Sequence, residues 1–120
     1  MGYWGYNLIL DCSGSPKDLV TDAGNIYNFA RAMVDEIDMV AYGEPIIKHF
    51  ATHDPEKAGY SLVQLIETSN ISGHFVDKDG SCYLDVFSCK PFSNEIAVEV
   101  VEHYFKPKKI KMHFITRNAD

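Results

Sequence analysis

Residues 60–89, YSLVQLIETSNISGHFVDKDGSCYLDVFSC, decide the architecture. Tyr60 to Thr68 and Ile71 to Val76 each read as a strand, with Ser69-Asn70 joining them. Asp77-Lys78-Asp79-Gly80 is turn chemistry, because Asp side chains bond the backbone ahead of them and Gly accepts a left-handed φ. Ser81 to Cys89 then resumes as a strand. The stretch predicts three consecutive strands linked by hairpins.

Working outward, Glu44 to Thr52 reads as another strand and Asp54 to Gly59, with Pro55 and mixed charges, as a loop. Near the start, Tyr3 to Cys12 reads as a strand in which Asn7 and Asp11 interrupt apolar neighbours. Ser13-Gly14-Ser15-Pro16 punctuates it, and Ser15 as N-cap, Pro16 at N1 and Asp18 at N3 announce a helix. Its apolar positions Leu19, Ala23, Ile26, Ala30, Met33 and Ile37 step by fours and threes, which predicts one continuous helix with one stripe against a sheet. Ser93 caps a second helix to about Phe105, with Ile96, Val100 and Tyr104 on one face and Pro107 as its stop. Ile110 to Thr116 closes the chain as a strand, and the basic run Lys106 to Lys111 reads as a helix end followed by a solvated strand face. The order βαββββαβ predicts an α+β two-layer sandwich, a mostly antiparallel sheet with two helices on one face. The bare face holds enough apolar residues to need a cover. A second copy is expected there, pairing as a homodimer into four layers, αββα.

Composition bounds the function. A chain of 120 residues with 46% apolar and 23% charged residues is one globular domain, 1–120. Eleven basic and 17 acidic residues give a net charge of −6, and residues 1–68 carry all of the excess, with 4 basic and 10 acidic. That balance disfavours nucleic acid, whose phosphates need clustered Lys and Arg, and favours a small cationic ligand. No apolar run approaches a membrane span, and the opening Met1-Gly2-Tyr3-Trp4 lacks a leader's basic and apolar regions, so a cytoplasmic protein without membrane contact is expected. Cys12, Cys82 and Cys89 show no CxxC spacing, so reduced thiols are expected rather than a disulfide framework, with Cys12 and Cys82 as packing residues. No metal is expected either: His49 and His53 lack a Cys or carboxylate at ligand spacing and read as solvated loop residues. Trp4 and Tyr6 read as packing residues of the core or of a dimer interface.

Phosphate-binding, dinucleotide, zinc-protease and serine-hydrolase motifs are all absent, so chemistry rests on single positions. Ser69, His74 five residues on and Cys89 twenty on lie at the ends of adjacent predicted strands. These types can supply a nucleophile, an acid/base and a proton donor. Each also has a plain reading, as a turn Ser, a hydrogen-bonded strand His and a small buried Cys, and spacing alone leaves the choice open.

Those residues, with the opening Gly5 to Asp11, resemble the small prokaryotic-type S-adenosylmethionine decarboxylases, proenzymes that make a pyruvoyl cofactor by cutting themselves at a serine. The family's processing serine, cleavage serine, histidine and cysteine fall on Ser61, Ser69, His74 and Cys89, and its Asp-x-Phe-x-Cys pattern falls on Asp85 to Cys89. The resemblance implies that Ser69 attacks the Thr68 carbonyl, that His74 removes the Ser69 α-proton, and that Ser61 positions the ester and oxyanion. Cleavage between Thr68 and Ser69 then yields pieces of 68 and 52 residues, the second headed by the pyruvoyl group. That group's ketone forms a Schiff base with the substrate amine and accepts the electrons left by departing CO₂, and Cys89 returns a proton. The implied setting is polyamine, and specifically spermidine, biosynthesis. The resemblance also implies active sites where sheets meet, often with residues of both subunits.

Two departures bear on substrate. Thr68-Ser69-Asn70 stands where the family has Glu-Ser-His, with Glu67 one place earlier. His74-Phe75-Val76-Asp77-Lys78 stands where it has His-Thr-Trp-Pro-Glu, so the usual aromatic and carboxylate are Val76 and Lys78. Glu67, Phe50, Phe75 and Asp77, with Asp79 beside it, are the candidates to hold substrate instead. S-adenosylmethionine is the expected substrate; arginine or ornithine, or an uncleaved relative that only binds or regulates, are the alternatives.

Overall fold

A computed structural model describes residues 2–120. Its elements are strand β1 (Gly5–Ser13), helices α1 (Lys17–Val20) and α2 (Ala23–Glu36), strands β2 (Ile46–Phe50), β3 (Gly59–Ile66), β4 (Ser69–Val76) and β5 (Cys82–Ser88), helix α3 (Asn94–Phe105) and strand β6 (Lys109–Arg117). The strands form one sheet in the order β2-β3-β4-β5-β1-β6, with antiparallel pairing throughout. The expected meander is β3-β4-β5, and the expected α+β sandwich is the fold.

The expected single first helix is two. Asp22 adopts an extended backbone (φ −112°, ψ 106°) and its carboxylate accepts the amides of Gly24 and Asn25 at 2.9 and 3.3 Å, which starts α2 afresh. Thr21 bonds back to the Lys17 carbonyl through both its amide and its hydroxyl and closes α1. The break resets the buried face: Val20, Phe29 and Val34 join Ile26, Ala30, Met33 and Ile37, while Ala23 is only half-buried. Ser15 does not cap. It is buried, its amide donates to the Gly80 carbonyl and its hydroxyl lies 3.9 Å from the Cys82 sulfur, which ties the start of α1 to the β4–β5 turn. A Cβ on Gly80 would fall 2.1 Å from the Ser15 oxygen, and its φ of +75° favours glycine as well. The second long helix starts as expected, with the Ser93 hydroxyl accepting the Ile96 amide.

Leu8, Leu10, Leu62, Ile71, Phe75, Leu84 and Val86 fill the helix-facing side of the sheet against α2 and α3. Phe29, Phe75 and Phe105 form its aromatic centre, with ring centroids 4.8–6.4 Å apart. The β3–β4 turn is Glu67-Thr68, two residues, since Ile66 pairs with Ser69; Ser69-Asn70, expected as the joint, begin β4 instead.

On the side away from the helices, register aligns three rows. One runs Lys48, Ser61, His74, Tyr83, Asp11, Lys111; the next Val63, Ser72, Asp85, Ile9, His113; the third Leu65, Asn70, Phe87, Asn7, Ile115. Val63, Leu65, Tyr83 and Ile115 are exposed there, as are Ile46 and Phe50 on β2. β6 is exposed along nearly its whole length. No helix among the described residues is long and apolar enough to cross a membrane.

Candidate functional site

Strand register assembles the flagged residues in two places. The β3–β4 turn presents Thr68, whose carbonyl accepts the Cys89 amide at 3.1 Å, because Cys89 follows directly on Ser88, the β5 partner of Ser69. The peptide carbonyl next to Ser69 is thereby hydrogen-bonded by the residue expected to donate a proton. The side chain of Thr68 is fixed too. The Lys90 amide donates to Ser88 Oγ at 3.0 Å, the Ser88 hydroxyl to Thr68 Oγ1 at 2.7 Å, and the Thr68 hydroxyl to the Met39 sulfur at 3.4 Å. Cys89 is exposed beside this chain of bonds.

The second place lies at the other end of β4. Ser61 and His74 are register partners on the open face, with Oγ 2.9 Å from Nδ1, and His74 Nε2 is 2.8 Å from the Lys57 carbonyl oxygen. Ser69 and His74 stand five positions apart on one unbroken strand, about 16 Å at the usual rise. Five is odd, so the pleat puts Ser69 on the helix-facing side with Ile71 and Ser88 and puts His74 on the open side. One chain therefore joins the Thr68 carbonyl to the Cys89 amide, and Ser61 to His74, but keeps the two pairs apart.

The substrate candidates divide. Phe75 is fully buried between Phe29 and Phe105, so it stacks in the core and offers no face to a ligand. Its place four residues after Ile71 fixes it on the core side. Phe50 is exposed on β2 and Glu67 is exposed in the turn. Asp77 is engaged by His49 Nε2 at 2.6 Å, and His49 meets the Tyr60 ring edge-on, so His49 is a paired strand residue rather than a solvated loop one. Asp79 accepts the Ser81 amide at 2.9 Å, which lowers its carboxyl below the ordinary value, and Lys78 pairs with Glu56. Burial pushes the Cys12 thiol up to about 11 and the Cys82 thiol up to about 12, in keeping with packing roles. Among the described residues no three His, Cys, Asp or Glu side chains gather as a metal site.

Sequence reasoning did not flag Lys57, Ser88 or Arg117. Arg117 lies 5.2 Å over the Phe87 ring and donates to Asn7 Oδ1, and Asn7 Nδ2 donates to Asp85. Trp4, Phe87 and Arg117 wall a cavity of about 500 Å³. Phe87 is the register partner of Asn70, so this aromatic wall lies on the open face at the Ser69 end of β4, on the opposite side of the sheet from the Ser69 side chain. The adjacency of Phe87 to Cys89 was the available signal; the reach of Arg117 from the far edge strand has none.

The family model described as S-adenosylmethionine decarboxylase matches residues 6–118. Among solved structures, the adenosylmethionine decarboxylase from Aquifex aeolicus superposes with a TM-score of 0.83 at 20% identity, covering 100% of this chain and 95% of that one. The structural likeness carries the fold, and the family match spans both clusters and every strand. The chain belongs to the S-adenosylmethionine decarboxylase family.

Proposed function

We propose that this chain is a proenzyme that cuts itself between Thr68 and Ser69 and then decarboxylates S-adenosylmethionine, acting in polyamine biosynthesis as a homodimer. The observation that carries the reading is the bond from the Cys89 amide to the Thr68 carbonyl. It polarises the carbonyl that Ser69 has to attack and would hold the negative charge that develops on its oxygen.

In the processing step Ser69 Oγ adds to the Thr68 carbonyl carbon and the C–N bond breaks, its nitrogen taking the hydroxyl proton, which leaves an ester. A base, His74, removes the Ser69 α-proton; the electron pair forms a Cα–Cβ double bond, and Oγ departs with the Thr68 carboxylate. Water then replaces the nitrogen of residue 69, releasing ammonia and leaving the pyruvoyl group. The residues present fit that group: a serine heading a strand, a bonded carbonyl before it and an exposed thiol beside it. Once formed, it supplies the electron sink for loss of CO₂. Cys89 returns the proton to the substrate carbon, Trp4 and Phe87 offer the aromatic face that Phe75 cannot, and the acidic first 68 residues favour the sulfonium cation.

Because the Ser69 and His74 ends are about 16 Å apart along one strand, the reading requires a second copy. Stacked sheets lie roughly 10 Å apart, close enough for side chains to interdigitate. A two-fold axis along the middle row, through Ser72 and Asp85, would set the Ser61–His74 row of one protomer over the Asn70–Phe87 row of its partner. It would also bury the exposed Val63, Leu65, Tyr83 and Ile115.

Denaturing electrophoresis and intact mass test the proposal. Purified protein should resolve into pieces of 68 and 52 residues, and Ser69→Ala should stay whole. Wild-type protein that remains whole on long incubation would overturn the self-processing reading.

A further inference from the structure

We propose that the backbone carbonyl of Lys57 fixes the tautomer of His74, so that Nδ1, facing Ser61, is the nitrogen that takes protons. This inference rests on the reading of His74 as the processing base and names the group that prepares it.

His74 Nε2 is 2.8 Å from the Lys57 oxygen, and a carbonyl oxygen can only accept. Nε2 of the neutral ring therefore carries the hydrogen. Nδ1 is left with its lone pair, 2.9 Å from Ser61 Oγ, and receives the Ser61 hydroxyl hydrogen. When Nδ1 takes a proton, the relation reverses: the new N–H donates to Ser61 Oγ, and the Ser61 hydroxyl hydrogen is freed to donate elsewhere. A departing oxygen beside Ser61 would gain a hydrogen-bond donor as the base becomes charged. Both N–H groups of the imidazolium would then have oxygen acceptors, from Lys57 and from Ser61.

The carbonyl is held by a built turn. The amides of Lys57 and Ala58 both donate to the Asp54 carbonyl, at 3.0 and 2.9 Å, and the Asp54 side chain accepts the Glu56 amide at 2.9 Å. The turn is also tied to the β4–β5 connection: the Asp77 amide donates to the Ala58 carbonyl at 2.9 Å, and Lys78 pairs with Glu56. Immediately after it, Gly59 permits close approach to β4, where a Cβ would fall 1.7 Å from the Phe75 oxygen. Asp54 is therefore a positioning residue that acts on His74 through the Lys57 backbone.

Nitrogen-15 NMR of the imidazole, on full-length Ser69→Ala protein that cannot cut itself, tests this directly. The neutral ring should carry its hydrogen on Nε2, with slow exchange against water. Lys57→Ala should keep that signal, since the backbone supplies the oxygen, and Ser61→Ala should keep the hydrogen on Nε2. Asp54→Ala should speed its exchange roughly tenfold while the circular dichroism of the fold stays unchanged. A hydrogen on Nδ1, or equal protection with and without the Asp54 carboxylate, would overturn the proposal. The readout is independent of turnover. The expected tautomer in Ser69→Ala protein, beside a wild-type chain that never cleaves, would remove the self-processing reading and leave the Lys57 assignment standing.

Discussion

Two of the three cysteines are buried and one is exposed, and their reactivity should separate accordingly. Burial raises Cys12 and Cys82 to about 11 and about 12, so almost no thiolate forms at either near neutral pH, whereas Cys89 is exposed. A maleimide at pH 7 should add once to the folded chain, at Cys89, and three times after unfolding, as read by intact mass. A native adduct on Cys82 would contradict the packing. Phe75 is the residue whose role changed most between sequence and structure. Truncating it to Ala should cost about 3–5 kcal/mol of stability in urea unfolding, the size expected for a large core ring. A loss below about 1 kcal/mol would contradict its burial. The chemical positions were legible because a motif is a set of offsets along one chain, and offsets survive any folding. Their faces were not: with Ser69-Asn70 expected as the joint, the odd spacing of His74 from Ser69 carried no meaning, and Phe75 counted as a substrate candidate although it stands at an even spacing from the buried Ile71. What parity cannot reveal is the third dimension, which brings Lys57 onto His74 and Arg117 over Phe87.

At the scale of elements, the strands emerged from alternation and turn chemistry because both are local. The break in the first helix did not. Apolar steps of four and three continue through Thr21-Asp22 unaltered, and the choice between Ser15 and Asp22 as the cap depends on Ser15 being drawn to Gly80. Asp22→Ala should therefore destabilise the fold by about 1 kcal/mol, the usual value of a capping side chain. Ser15→Ala would act through packing instead. The β4–β5 turn carries a pH dependence. Accepting the Ser81 amide lowers the Asp79 carboxyl below its unfolded value, so its contribution is complete above the ordinary carboxylate range and fades as pH falls through the folded value. Asp79→Asn should flatten the acid limb of the stability curve, measured by thermal unfolding between pH 6 and roughly pH 3. A wild-type and variant difference that grows toward acid would reverse the sign and exclude the assignment.

For the whole molecule, the sheet with helices on one face only, the three rows on the other and the separation of Ser69 from His74 along β4 all motivate the proposed dimer. On the proposed function, two copies would close face to face, each bringing its Ser61–His74 row to the other's Thr68–Ser69 end. The sequence carried half of this, since an uncovered apolar face calls for a partner, but only the unbroken course of β4 makes the partner necessary for the chemistry. Co-expression of two silent variants measures it. Ser69→Ala keeps His74, and His74→Ala keeps Ser69, so each alone should stay whole. In a mixed dimer, one composite site unites an intact Ser69 with an intact His74, while the other holds both substitutions. With random pairing about half of the His74→Ala chains should be cut at Thr68–Ser69, and none of the Ser69→Ala chains. No cleavage in dimers shown by mass to be mixed would contradict the composite site.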